Sequence, residues 1–199
     1  MTKLTREDII ICAGRRFALY GYHGTSMRDL GDDLGILGSS IYAHVGGKHE
    51  LLVAVVERAG DLFAQAAEAA QRVDRDATET LLFLMRGHLD VLIDHAAEAK
   101  TFLNEAAFLE TEDRARVTKA RDAYEAVYRE TIRRGVDDGD FRSDVDPTLT
   151  GIYILSILNA VIRWYHPDGP VDRRNLAFDM HAFVLRGLIT GVGNQNSKA

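Results

Sequence analysis

The 199-residue chain is short of several things, and each shortage excludes something. It has one cysteine, Cys12, so no intrachain disulfide can staple it. Cys12 sits in an apolar helical stretch and reads as a small buried hydrophobe rather than a nucleophile. There are only three prolines, Pro147, Pro167 and Pro170. No apolar run approaches the roughly 20 residues that span a bilayer, so no membrane partner is expected. The N-terminus, MTKLTREDIIICAGRR, lacks a secretory layout: acids interrupt it and its apolar run at residues 9–13 is too short. A soluble, cytoplasmic protein is the expectation. No segment alternates at period two with β-branched residues, so strands are not indicated. No Ser/His/Asp spacing, glycine-rich phosphate loop or carboxylate pair supports an enzyme, and no cofactor is implied. His88 and His95 share a face near Asp94 and Glu98, but no tight ligand cluster supports a metal.

What is present is ordinary globular composition, 46% hydrophobic and 27% charged. The net charge is −6, and it is unevenly placed. Residues 1–50 carry six basic and six acidic groups, whereas the other 149 residues carry 18 and 24. The acidity therefore belongs to the second part, and a basic patch in the first must come from arrangement rather than excess.

Helical periodicity is widespread. Thr5-x-x-Asp8 resembles a capping box, Ile9, Ile10, Ala13, Phe17 and Tyr20 follow at helical spacing, and Gly21 ends the helix. Thr25 or Ser26 caps a second, short helix carrying Met27, Leu30 and Leu34, closed by Gly35. A third short helix holds Ile41 and Tyr42, Gly46-Gly47 breaks it, and Lys48 opens a fourth. After the polar loop VDRDAT come a helix from Leu81 to His95, a short one around Phe102 and Leu109, and a long one from near Asp113 to the Gly139 region. Asp146-Pro147 starts a strongly apolar helix that Pro167 ends, a last helix starts near Asp172, and GVGNQNSKA reads as a frayed tail. The expected fold is all-α, with about nine helices.

Within the first fifty residues, helices of about 16, nine and seven residues separated by short turns make a helix-turn-helix module, in which the third helix enters the major groove. GYHGTSMRDLGDDLGI and SSIYAHVGGKHELL carry the signal. On this stretch the chain resembles the TetR family of transcriptional repressors across residues 5–52: it has the Gly-Tyr turn, Thr-Ser before helix 2, and Tyr42, His44, Lys48 and Glu50, with Val45 for the usual Phe. Three positions depart from the family pattern: Leu37-Gly38 at the start of helix 3, Arg16 before Phe17, and His49 before Glu50.

The residues support DNA contact on their own chemistry. Thr25 and Ser26 offer hydroxyls beside free helical N–H groups, and Lys48 can pair with a phosphate. Arg28 can reach the backbone or pair with Asp32 four residues on. Ser39 and Ser40 can reach base edges or phosphates, and Tyr42 and His44 can donate to backbone oxygens, with core packing open to Tyr42 and plain solvation to His44. Leu37 and Gly38 complete the candidate DNA surface, Gly38 by allowing a close helix-to-backbone approach. Leu30, Leu34, Ile41 and Val45 are assigned to a small core. From Leu37 to His44 there is no lysine or arginine, so few ion pairs and a shallow salt dependence are expected.

The domains expected are a DNA-binding domain at 1–50, with helix 4 bridging from 48, and a helical domain at 51–199. The resemblance implies that the latter binds a ligand and dimerises. DRARVTKARDAYEAVYRETIRRGVDDGDFRSDVDPTL, AVIRWYHPDGP and FVLRGLITG are similar to TetR-type regulators of lipid and sterol catabolism that respond to CoA thioesters. That resemblance implies thioester contacts from Arg163 and Trp164, and CoA phosphate contacts from Arg121 or Arg129. Independently, Phe83, Met85, His88, Leu92, Phe102, Phe108, Tyr124, Tyr128 and Leu158 can line an apolar pocket or simply form core. Asn159 lies in an apolar helix and needs a partner, either a ligand or a group across a dimer. The apolar helices at 147–162 and 178–188 are the expected dimer interface. The expectation is a homodimeric repressor on a palindromic double-stranded operator, released by a small hydrophobic effector, a CoA thioester or a drug-like compound.

Overall fold

Capping chemistry sets most helix ends. The structure is a computed structural model that describes residues 4–72 and 75–189, so the GVGNQNSKA tail and part of VDRDAT lie outside the described residues. Among the described residues there are nine α-helices and one short 3-10 helix, with no strand. Helix α1 (Arg6–Tyr20) starts at a complete Thr5/Asp8 capping box and stops at Gly21, which takes a left-handed φ of 76°. Helix α2 (Met27–Leu34) starts at a second capping box, Ser26 with Asp29, and Gly35 closes it. Of the two candidate caps, then, it is Ser26 that caps. Helix α3 (Gly38–Ile41) has four residues, not about seven, and turns through Tyr42, Ala43 and His44 follow it. It lacks a side-chain cap at Leu37, and no i→i−4 ladder forms beyond Val45, so propagation fails early.

The remaining helices are α4 (Lys48–Gln71), α5 (Ala77–Asp94), α6 (Ala96–Asn104), α7 (Thr111–Asp137), α8 (Pro147–Trp164) and α9 (Arg173–Leu188), with the 3-10 helix at Ala106–Phe108. Asp146 caps α8 with Pro147 in its first turn, and Asp172 caps α9.

The chain divides into two units. The first comprises residues up to 64 together with 91–122, and the second comprises 65–90 and the chain from 123. The first therefore holds the helix-turn-helix, most of α4, all of α6 and the start of α7. Its core is Ile9, Phe17, Leu30, Ile41, Leu51, Leu52, Val55 and Leu109. Of the four residues assigned to the small core, Leu30, Ile41 and Val45 are buried and Leu34 is half-buried. The second unit buries Leu81, Leu84, Met85, Tyr128, Ile132, Ile154, Leu158 and Val161.

Helices α2 and α3 cross without side chains between them. A Cβ added at Gly31 would stand 2.6 Å from the Gly38 nitrogen, and one at Gly38 would stand 2.9 Å from the Met27 carbonyl oxygen. The bare backbone of Gly38 is thus used against α2. It faces its own chain, and the close approach expected of it is made there rather than to DNA.

Candidate functional site

The helix-turn-helix holds itself together with most of its charges. Arg16, which departs from the family pattern, bonds Asp33 at 2.7 Å and reaches Asp29 at 3.9 Å, pinning α1 to α2. The guanidinium holds the Asp33 carboxyl below the usual range. Glu50 accepts from Arg6 at 2.9 Å and from the Gly46 N–H at 2.6 Å, and both keep its pKa low. His49, another departure, meets Asp113 in the first turn of α7 at 2.9 Å, and this bond lowers the Asp113 pKa. Arg58 pairs with Glu7 and lies 3.5 Å from Glu98.

Lys48 does something other than the expected phosphate pairing. Its ammonium donates to the carbonyl oxygens of Tyr22 at 2.9 Å and Thr25 at 2.8 Å, and lies 4.4 Å from the Tyr22 ring centroid. Two of its three donors are spent on the α1–α2 turn. Thr25 is also turned inward: it is 2% exposed and its hydroxyl donates to the Gly21 carbonyl oxygen at 3.0 Å. Arg28 is exposed and forms no ion pair among the described residues, so of the two alternatives for it the pairing with Asp32 is absent. Leu37, at 75%, and Tyr42, at 57%, stand well out of the fold, and Ser26, Ser39, Ser40 and His44 are exposed with them. The exposed surface is therefore Ser26, Arg28, Leu37, Ser39, Ser40, Tyr42 and His44, carrying hydroxyls, an aliphatic side chain, an imidazole and one guanidinium, with the Ser26 hydroxyl proton already given to Asp29 at 2.7 Å.

The expected ligand residues separate. His88, Tyr124, Tyr128 and Asn159 come together in the second unit. His88 Nδ1 lies 2.9 Å from the Tyr124 hydroxyl, and Nε2 lies 3.1 Å from Asn159 Oδ1. The Tyr128 hydroxyl donates to the Leu84 carbonyl oxygen at 3.0 Å. With Asn159 presenting its carbonyl oxygen, Nε2 carries the imidazole proton and Nδ1 accepts from Tyr124. Both tyrosine protons are then committed, which explains the long 3.4 Å separation of the two hydroxyls. Burial pushes His88 down to about 4 and raises both tyrosines, so all three are neutral near pH 7. The Asn159 carbonyl oxygen thus has a partner inside the chain.

The other candidates have other partners. Phe83 carries the Arg75 guanidinium 4.0 Å above its ring. Phe102 and Arg121 belong to the first unit, where Arg121 lies over the Phe102 ring and donates to the Phe102 carbonyl oxygen. Arg121 is therefore occupied on α6, and Arg129 pairs with Glu125. Phe108 packs on the helix-turn-helix, 4.6 Å from the His23 ring and 6.3 Å from the Tyr22 ring. Arg163 and Trp164 are exposed at the end of α8, and Arg163 forms no ion pair among the described residues. Outward-facing apolar side chains stand on α8 (Leu149, Ile152, Tyr153, Ile157) and on α9 (Phe178, Phe183). Among the described residues no three His, Cys, Asp or Glu side chains are grouped to hold a metal, and no helix is long and apolar enough to cross a membrane.

Residues 10–55 match the family model for bacterial regulatory proteins of the tetR family, and residues 74–188 match the tetracyclin repressor-like C-terminal domain. The chain belongs to the TetR family. It is a transcriptional regulator of the DNA-binding, helix-turn-helix class and not an enzyme. It is 28% identical over 187 residues to the HTH-type transcriptional repressor KstR2 of Mycobacterium tuberculosis, covering 92% of each chain. The Mycobacterium tuberculosis KstR2 structure, described as a ketosteroid transcriptional regulator, superposes with a TM-score of 0.89 at 23% identity, over 96% of this chain and 98% of that one. PfmR from Thermus thermophilus is 35% identical, with a TM-score of 0.82 over 89% and 97% of the two chains. AibR, solved in complex with isovaleryl coenzyme A and operator DNA, is 26% identical, with a TM-score of 0.82 over 89% and 96%. The TetR family and its lipid- and sterol-related sub-group, expected from the sequence, are both supported.

Sequence reasoning missed Tyr22, Glu105, Asp113 and Gly31 as structural anchors of the head. Each acts through a partner remote in sequence or through backbone proximity, and local periodicity signals neither.

Proposed function

We propose that the protein is a homodimeric repressor that binds a palindromic operator and leaves it when a small hydrophobic effector, an acyl-CoA or related CoA thioester, binds. The observation that carries the DNA part is the free surface of the head. Arg28 suits phosphate oxygens, while Ser39, Ser40, Tyr42 and His44 suit backbone or base edges. Leu37, aliphatic and 75% exposed, suits the C5-methyl of a thymine. One such head reads few base pairs, and a twofold pair places two in successive major grooves. The outward-facing apolar side chains of α8 and α9 supply a self-complementary interface for that pair.

The CoA class is supported by the likeness to AibR with its isovaleryl coenzyme A, and by chemistry at the end of α8. Arg163 offers an unpaired guanidinium for a phosphate, and Trp164, 46% exposed, offers a flat face for an adenine ring. Selection of a binding duplex from a random library, followed by titration with isovaleryl-CoA, octanoyl-CoA and free CoA, tests both parts. Enrichment of an inverted repeat and its release by a thioester are expected. Failure to enrich any duplex overturns the repressor reading. Release by drug-like hydrophobes but by no thioester overturns the CoA assignment.

A further inference from the structure

We propose that Glu105 is a positioning residue for DNA binding: from the C-terminal end of α6 its carboxylate fixes the α1–α2 turn, and so fixes where α2 begins. The proposal rests on the DNA-binding reading above. The Tyr22 N–H lies beyond the end of α1 and has no helical partner. Glu105 Oε2 accepts it at 2.8 Å. On the other side Lys48 donates to the Tyr22 carbonyl oxygen at 2.9 Å. Both main-chain polar groups of one turn residue are thus held by opposite full charges, the strong class of hydrogen bond. The Tyr22 ring is held as well, with its centroid 5.6 Å from Phe17 and 6.3 Å from Phe108.

The place of this contact gives it its effect. Several ties within the first unit reach helices: Thr101 donates to the Gly14 carbonyl oxygen in α1, His49 in α4 meets Asp113 in α7, and Arg58 in α4 meets Glu7 and Glu98, while Lys48 at the start of α4 reaches the turn from the other side. Glu105 and Phe108, which flank the 3-10 turn after α6, reach the α1–α2 turn itself. Gly21 lies beside the carboxylate, and its φ of +76° is the left-handed backbone that favours glycine at this turn. Four residues after Tyr22 comes Ser26, the cap of α2 and the first exposed group of the DNA surface. A displacement of the end of α6 is therefore passed on at Tyr22 to the start of α2.

The test uses the full chain in three variants, Glu105→Ala, Glu105→Gln and His49→Gln, each first checked for native helicity and melting. Amide hydrogen exchange is read at Tyr22 and through α2, and affinity is measured for a duplex selected with the wild-type protein. Losing a charge-assisted bond speeds exchange at Tyr22 and weakens duplex binding by about tenfold or more in Glu105→Ala. Glu105→Gln, which keeps the acceptor oxygen, stays within about threefold of wild type. His49→Gln leaves Tyr22 exchange unchanged. Unchanged protection in Glu105→Ala overturns the proposal. Equal exposure of Tyr22 in His49→Gln also overturns it, since general loosening then explains the effect. If the wild-type protein enriches no duplex, the DNA-binding reading falls, and the exchange measurements still decide whether Glu105 fixes the turn.

Discussion

In the DNA-reading head Arg6, Arg16, Lys48 and Arg58 are all bonded to carboxylates or carbonyl oxygens of the same unit. In the second unit the polar side chains His88, Tyr124 and Tyr128 are folded inward and bonded to each other or to the main chain, while Leu149, Ile152, Tyr153, Phe178 and Phe183 stand outward. One region spends its charge on its own geometry, and the other hides polarity and leaves apolar surface bare. A head that must present hydroxyls and one leucine at a fixed spacing needs a rigid frame. A body that meets a second copy of itself, as proposed, needs apolar area. A head freed of its ties, or a body given charge on its outer face, breaks this contrast.

The largest expected effect is on the outer face of the body. Ile152→Asp combined with Phe183→Glu buries two charges in the proposed twofold interface, and monomers are expected by analytical ultracentrifugation. Duplex affinity then falls by about a hundredfold or more, because two heads no longer bind together. A stable dimer in this double variant places the interface elsewhere.

The hidden polarity of the body gives the next effect. The His88 imidazole takes a proton near 6.5 when unfolded but only at about 4 when folded. Between these values the unfolded chain binds more protons, so stability is full above the upper value and is lost as the pH falls toward the lower one. The loss is on the order of 3 kcal/mol, from the size of the shift. Urea unfolding of wild type and His88→Leu at several pH values checks it; the variant is expected to lose most of this slope, and an equal slope in both removes His88 from the explanation.

The frame of the head comes third. Gly31→Ala drives a methyl to 2.6 Å from the Gly38 nitrogen and must push α2 and α3 apart. A cost of about 2 kcal/mol is expected in denaturant unfolding, with loss of duplex binding. Wild-type stability in this variant contradicts the tight crossing. Smallest is the proposed reading contact of Leu37. Leu37→Ala is expected to weaken duplex binding by about 1 kcal/mol. Replacing the contacted thymine by uracil should cost wild type the same and cost the variant nothing further. Full additivity of the two changes separates Leu37 from the methyl group.

Much of the fold was legible because helix ends obey local chemistry. The Thr5/Asp8 box, Gly21, Gly35, Asp146-Pro147 and Asp172 all act within a few residues, and each ends or starts a helix where the sequence implies. The helix-turn-helix was legible for the same reason, since its signature is a spacing of such marks. The direction of side chains was not. Lys48 was expected to face phosphate and faces the Tyr22 and Thr25 carbonyls; Phe108 was expected in a ligand pocket and packs on Tyr22 and His23. In the body, Asn159 bonds His88, 71 residues away. A long side chain chooses between partners that only the tertiary fold brings near, and a lysine reads the same whether it points in or out. Two of the three departures from the family pattern, Arg16 and His49, became intelligible only once Asp33 and Asp113 were seen opposite them.

The internal use of charge in the head is tested most directly by the salt dependence of duplex binding. Among residues 4–50, Arg15 and Arg28 are exposed cations with no ion pair among the described residues. A dimer then has four such guanidinium groups, and log affinity against log salt should fall with a slope no steeper than about −4. Arg28→Ala should make it shallower, and Lys48→Met should lower affinity with the slope unchanged. A slope of about −8 or steeper, or one that Lys48→Met makes shallower, would contradict a head whose lysine is spent inside.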